Sequence, residues 1–211
     1  MIVKFFKYSL KGKFVLLIHI LHVLKTQLIY RLRFKSIGGW SSFSNKLYMT
    51  HRVISLGKRV TIGPHARIEG IYHWNENKYN PHIIIEDDVS IQQRCHIIVA
   101  SELIIGKGSM LSFDVMITDV DHGYSDIGIP IGKQDLANNK TRIGERCFIG
   151  AGAKILAGTI LGEQCVVGSN AVVRGKFPPF CVIAGAPARV LKRYDEKSGS
   201  WQTTDKVGRF L

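Results

Sequence analysis

From residue 56 onward, aliphatic residues return every six positions: Leu56, Ile62 and Ile68; Ile85, Ile91 and Ile97; Ile105, Leu111 and Ile117; then Ile143, Ile149, Ile155, Leu161, Val167 and Val173. A period of six fits neither the helical repeat of about 3.6 nor the strand alternation of about two. It fits one short strand plus one turn. The residue after the aliphatic is often Gly or an acid (Gly57, Gly63, Glu69, Glu86, Gly106, Gly144, Gly150, Gly162, Gly168). The fifth position is small or β-branched (Val60, Ala66, Val89, Ser109, Val115, Ala153, Thr159, Ala171). The glycines are expected to serve the turns, where conformations that most residues avoid are needed.

Three such units make one coil, and stacked coils place every aliphatic inward and pair their strands as parallel sheets. The chain is therefore expected to be an all-β solenoid, in which no coil can bury its apolar face alone. The 211 residues, with 45% hydrophobic residues, 21 Gly and only 6 Pro, suit one large folded domain with an appendage. That composition excludes collagen, low-complexity disorder and a polytopic membrane protein. Cys95, Cys147 and Cys165 occupy the small fifth slot and read as compact core residues. With Cys181 they are too few for a disulfide framework, and no pair has C-x-x-C spacing, so a reducing, cytoplasmic setting is expected.

The formal charge of +13 is unevenly placed. Residues 1 to 35 hold eight Lys/Arg (Lys4, Lys7, Lys11, Lys13, Lys25, Arg31, Arg33, Lys35) and no acid, leaving net +5 for the rest. Among them Phe5, Phe6, Leu10, Phe14, Leu17, Leu21, Leu24, Leu28 and Leu32 recur at three- and four-residue steps and line one side of a helix. Such a basic amphipathic helix suits two roles: peripheral contact with an anionic membrane through residues 1 to 35, or packing against the main domain or a sister subunit. The apolar run Phe14 to Leu24 is shorter than the roughly 20 residues that span a bilayer, and no small-x-small cleavage site follows it. An exported or membrane-spanning protein is not expected. No nucleic-acid recognition motif is present, and nucleic acid is not an expected partner. His19 and His22 have no carboxylate or Cys company that would make them metal ligands.

The repeat breaks twice, at about 70 to 82 and at 122 to 140. A solenoid extrudes loops only between coils, and long loops on a rigid scaffold are where sites are built. Tyr72, Trp74 and Tyr79 in the first loop offer flat faces suited to a sugar ring or to anchoring the loop.

The hexads, the segment Thr118-Asp119-Val120-Asp121-His122-Gly123 before an extruded loop, and the ending Val182-Ile183-Ala184-Gly185-Ala186-Pro187-Ala188-Arg189-Val190 together resemble the hexapeptide-repeat acyltransferases. The likeness is above all to bacterial sugar O-acetyltransferases, including those that decorate surface polysaccharides and the galactoside and maltose acetyltransferases. The resemblance implies a left-handed parallel β-helix over residues 50 to 193; the basic helical segment (1 to 49) precedes it and a short helical or extended tail (194 to 211) follows. It also implies a homotrimer with active sites between subunits, and acetyl-CoA as acyl donor with no metal. His122 matches the family's general base, a role that suits an imidazole because it exchanges a proton near neutral pH. Ala151, Ser169, Arg174, Lys176, Arg189 and Lys192 are the matching CoA-site candidates. Gln92, Trp74, His96 and Asp119 are the acceptor-site candidates.

The activity so implied is acetyl transfer to a sugar hydroxyl, in surface polysaccharide or a lipid-linked precursor. Two alternatives stand beside it: N-acetylation of an amino-sugar nucleotide, and a non-catalytic trimeric sugar-binding scaffold. A zinc carbonic anhydrase on the same fold would need converging histidines, and the chain has no His-x-x-x-x-His pair.

Overall fold

The computed structural model describes residues 10–45, 47–205 and 208–211. Lys4, Phe5, Phe6 and Lys7, counted above with the helix, lie outside the described residues.

Short strands stack into three parallel sheets that form the walls of a prism. The first wall runs through Ser36–Ile37, Ile54–Leu56, His82–Ile85, Glu102–Ile105, Thr141–Ile143, Ile160–Leu161 and Lys176–Phe177. The second runs through Ser42–Phe43, Thr61–Ile62, Ser90–Ile91, Met110–Leu111, Phe148–Ile149, Val166–Val167 and Cys181–Gly185. The third runs through Tyr48–Met49, Arg67–Gly70, His96–Val99, Met116–Thr118, Lys154–Ile155 and Val172–Val173. Register follows the hexads, so Ile62, Ile91, Leu111, Ile149, Val167 and Ile183 form one continuous column. These side chains are buried, as are the fifth-position residues Val60, Val89, Cys95, Ser109, Cys147 and Cys165. Each buried aliphatic contributes on the order of 1.5–3 kcal/mol, which is how strands of two residues persist.

The solenoid begins at Ser36 rather than at residue 50. Its first coil carries Ile37, Phe43 and Met49, also six apart, but an aromatic ring and a thioether take the places held elsewhere by aliphatics. The tail is extended, not helical: Ala188–Asp195 turns back on Cys181–Gly185, and Ser200–Thr203 pairs with it in turn, adding two antiparallel strands to the second wall. There is thus no separate unit starting at residue 194.

The glycine expectation is corrected too. Positive φ falls two residues after the aliphatic-following position, at Arg59, His65, Asp88, Arg94, Asp114, Arg146, Gln164 and Asn170. The glycines before them are required by close approach instead: a Cβ on Gly144 would meet the Gly162 carbonyl oxygen at 2.4 Å, and one on Gly106 the Glu145 nitrogen at 2.6 Å.

Helix α1 (Leu10–Lys25) continues through a π-helical turn at Thr26–Tyr30. The helix from Lys11 to Tyr30 has 20 residues and is long and apolar enough to cross a membrane by length and composition. The length argument made from Phe14 to Leu24 therefore does not hold. The helix is nevertheless fastened to the first coil. Thr26 is buried and its hydroxyl accepts the Phe43 N–H, while the Gln27 amide donates to the Gly38 carbonyl at 2.9 Å. Rings of Tyr30, Phe34, Phe43 and His51 close the junction. Outward, the helix leaves Phe14, Leu17, Leu21, Leu24, Leu28 and Ile29 exposed.

Candidate active site

Both loops leave the solenoid at one edge, where the third wall turns into the first. The first forms a small hairpin, His73–Trp74 against Asn77–Lys78. The second opens as Val120–His122 and returns as Leu136–Asn138, with His122 opposite Leu136. The chain passes between them at Gly123, where a Cβ would meet the Asp135 carbonyl oxygen at 2.5 Å. Gln134 holds the returning arm. It is buried, its amide donates to the carbonyls of Asp126 and Ile129, and its side-chain oxygen accepts the Asp126 N–H.

The loops then lock onto each other. The Trp74 indole and the Asn75 amide donate to the Gln134 carbonyl at 3.0 and 3.2 Å, and the Tyr79 hydroxyl accepts the Leu136 N–H. Trp74 consequently stands over His122 in a T-shaped contact. Below them lies a cleft of about 700 Å³ with an apolar floor that includes Ile98, Met116 and Leu156, and polar groups from Arg67, Glu69, Thr118 and Asp121. Arg67 pairs with Glu69 and lies against the Tyr48 ring. His122 is exposed at the rim, and its ring nitrogens make no hydrogen bond among the described residues.

Farther along the same edge is a second, cationic cleft of about 400 Å³, lined by Arg174, Lys176, Arg189 and Arg193 together with Phe177, Pro178, Ala188, Val190 and Gly208. One guanidinium nitrogen of Arg174 donates to both carboxylate oxygens of Asp121, at 2.8 and 3.0 Å, at the joint between the two clefts. Arg193 donates to the Gly208 carbonyl and lies over the Phe210 ring, while its Nε is buried without a hydrogen-bond partner among the described residues. An apolar cleft with a histidine at its rim thus adjoins a run of guanidinium and ammonium groups suited to phosphates.

The family model for bacterial transferase hexapeptide (six repeats) matches residues 140–175. That stretch of the chain is similar to the bacterial hexapeptide transferases. With the three parallel walls, the fold is a left-handed parallel β-helix. The chain is 35% identical over 127 residues to the putative lipopolysaccharide biosynthesis O-acetyl transferase WbbJ of Escherichia coli K12, covering 57% of this chain and 65% of WbbJ. The matched region is therefore less than two thirds of that relative's length. The structure of a maltose O-acetyltransferase from Clostridium difficile 630 superposes with a TM-score of 0.58 at 25% identity, covering 69% of this chain and 72% of the other. AntD, an N-acyltransferase from Bacillus cereus, superposes with a TM-score of 0.67 at 18% identity over 82% of this chain and 90% of AntD, a likeness of fold.

In this β-helix the expected site residues separate into three groups. His122 and Trp74 share the first cleft, and Arg174, Lys176 and Arg189 share the cationic one. Gln92, His96, Ala151 and Ser169 lie at the other edge of the third wall, where the second wall turns into it. Ala151 and Ser169 are stacked there on successive coils, and the Ala151 carbonyl accepts the Asn170 N–H. Gln92 and His96 are exposed and do not line the cleft below His122.

Two expectations are corrected. Asp119 is fully buried and its carboxylate accepts the N–H groups of Ala100 and Ser101, both at 2.7 Å, so it holds the turn of the coil below and does not face an acceptor. Burial pushes its carboxyl above the ordinary value, against the pull of these backbone donors. Lys192 is exposed and does not line the cationic cleft, whose lining from this strand includes Arg189 and Arg193. Arg193 and the Gln134 clamp were not singled out by sequence; the dense basic ending from Arg189 to Arg193 was the available signal for the first, and the second left none. Among the described residues no group of three or more His, Cys, Asp and Glu could hold a metal ion.

Proposed function

We propose that this chain transfers the acetyl group of acetyl-CoA to a hydroxyl of a sugar in surface-polysaccharide assembly, with His122 as general base. The observation that carries the reading is the position of His122, at the rim of a sugar-sized cleft under Trp74 and one ion pair away from the cationic cleft. The named activities of WbbJ and of the maltose O-acetyltransferase support the same chemistry.

In the proposed reaction the imidazole takes the proton of the sugar hydroxyl as its oxygen attacks the thioester carbonyl. The tetrahedral intermediate collapses with cleavage of the C–S bond, and the imidazolium returns the proton to the departing sulfur. No acyl-enzyme is required. Arg174, Lys176, Arg189 and Arg193 would hold the CoA phosphates. Trp74 closes one side of the cleft and restricts the imidazole.

A homotrimer explains why the expected residues separate. If the edge bearing Gln92, His96, Ala151 and Ser169 faces the neighbour's edge bearing His122, the two half-sites meet between subunits. We propose a cytoplasmic location, peripheral on the inner face of the membrane. Because the polar residues Thr26 and Gln27 bind α1 to the first coil, we read the helix as lying in the interface with its apolar side in lipid, rather than spanning.

A thiol-release assay with acetyl-CoA and a panel of maltose, galactosides and O-antigen-type oligosaccharides tests the reaction. Acceptor-dependent release is expected; release only with amino sugars would assign N-acetyl transfer instead.

A further inference from the structure

A third groove, of about 330 Å³, lies on the same edge as the two clefts, at the end of the solenoid that carries the helix. Leu32, Arg33, Thr50, His51, Arg52 and Tyr72 line it, and Tyr72 also lines the cleft below His122. Resting on the acetyltransferase reading, we propose that this groove binds the phosphate or diphosphate of a membrane-lipid-linked sugar, whose sugar lies in the adjoining cleft under Trp74.

The chemistry of the lining selects an anion. Arg33 and Arg52 are exposed, and neither is in an ion pair among the described residues. Two guanidinium groups that line one groove, neither bound to a carboxylate among the described residues, offer forked donors matched to phosphate oxygens. The Thr50 hydroxyl is buried and has no hydrogen-bond partner among the described residues, a donor of the kind folded proteins rarely leave unused. The groove is also held fixed: Arg33 lies over the Tyr30 ring at 5.4 Å, and Tyr30 and Phe34 contact His51.

The source of the phosphate follows from what lies around the groove. Leu32 at its mouth is 96% exposed, and Leu28, one turn back, is 77% exposed. From there the apolar side of the helix runs on through Leu24, Leu21, Leu17 and Phe14. A soluble nucleotide sugar has no use for such a strip, whereas a polyprenyl or acyl chain does. Charge agrees. Residues 1 to 68 contain thirteen Lys/Arg and no Asp or Glu, and the remaining chain is balanced, sixteen against sixteen. The whole excess of +13 therefore falls within the first 68 residues of the sequence. Thr50 and Arg52 belong to the first coil and Thr118 to the fourth, so at roughly 4.8 Å per coil the groove and the catalytic rim are about 14 Å apart along one edge. A glycosyl diphosphate lying along the edge bridges that span.

The test compares full-length wild type with Arg33→Gln/Arg52→Gln and with Thr50→Val on phosphatidylcholine vesicles. One set is doped with farnesyl diphosphate and the other with phosphatidylglycerol at matched surface charge. Acetyl-CoA titration and sedimentation are run on the same samples. The proposal expects tighter binding of wild type to the diphosphate vesicles, a loss of at least about tenfold on them in the double variant, and a smaller loss in Thr50→Val. Phosphatidylglycerol binding should change little in either variant. Equal affinity for the two vesicles, equal loss on both, or no loss on the diphosphate vesicles would overturn it. So would binding of free inorganic pyrophosphate as tight as that of the vesicles, which would assign the groove to a soluble phosphate. If wild type failed to bind acetyl-CoA while the vesicle pattern held, the transferase reading would fail and the phosphate groove would stand.

Discussion

The rings of Trp74 and His122 meet with centroids 5.0 Å apart and planes at 64°. Residues from two different loops, 48 positions apart in sequence, are thereby fixed at one rim, and the indole N–H is anchored on the Gln134 carbonyl. Trp74→Ala should lower kcat/KM for the acceptor by about ten- to a hundredfold, since it loses an aromatic pair and a hydrogen bond worth together about 1–3 kcal/mol. Trp74→Phe, which keeps a ring, should lose less. Acetyl-CoA affinity should be unchanged in both, as read by calorimetry.

His122→Ala should fold and assemble as wild type and still bind CoA, while transfer falls by about 10²- to 10⁴-fold, the ordinary range for removal of a general base. Steady-state thiol release checks this. Undiminished turnover would remove His122 from the mechanism.

In the cationic cleft, Arg189→Ala and Arg193→Ala should each weaken CoA binding by about tenfold, the scale of one charge-assisted hydrogen bond. Lys192→Ala should weaken it less, because Lys192 stands outside the cleft. Calorimetric titration of the three variants distinguishes the two assignments.

Asp119→Ala should destabilise the protein by about 2–4 kcal/mol, because it strands the buried donors of Ala100 and the partly buried Ser101. Denaturant unfolding measures the loss. A change near zero would contradict the structural role given to Asp119.

Acid should loosen the stack through rungs that join successive coils. The Arg59 guanidinium bonds Asp88 and the Arg94 guanidinium bonds Asp114, and each holds its carboxyl below the usual 3.8. A carboxyl depressed in the folded state contributes stability that is complete above its unfolded value and is lost as pH falls through the folded one. Melting temperature should therefore drop below about pH 3.8, with a shallower slope in Arg59→Gln/Arg94→Gln.

The hexads made the solenoid legible because each aliphatic at a sixth position is a core residue of one wall. The first coil was hidden because Phe43 and Met49 fill those positions with other chemistry. Turn glycines misled in their reason, since the left-handed corner tolerates Arg59, Asp88 and Gln164, while close approach of neighbouring coils does not tolerate a Cβ at Gly144. His122 could be placed from the motif around it. Asp119 could not, because its neighbours Ala100 and Ser101 lie one coil below, a contact fixed by stacking and not by local sequence. The groove at Arg33 and Arg52 joins the helix end to the first coil, and was invisible while residues 1 to 49 were read as one helical segment.

The most direct test of the account is calorimetric titration of the purified full-length protein with acetyl-CoA, which needs no knowledge of the acceptor. The account predicts saturable binding at one site per subunit, weakened by Arg189→Ala and preserved in His122→Ala. A folded trimer that binds no acetyl-CoA would contradict it and leave a sugar-binding scaffold in its place.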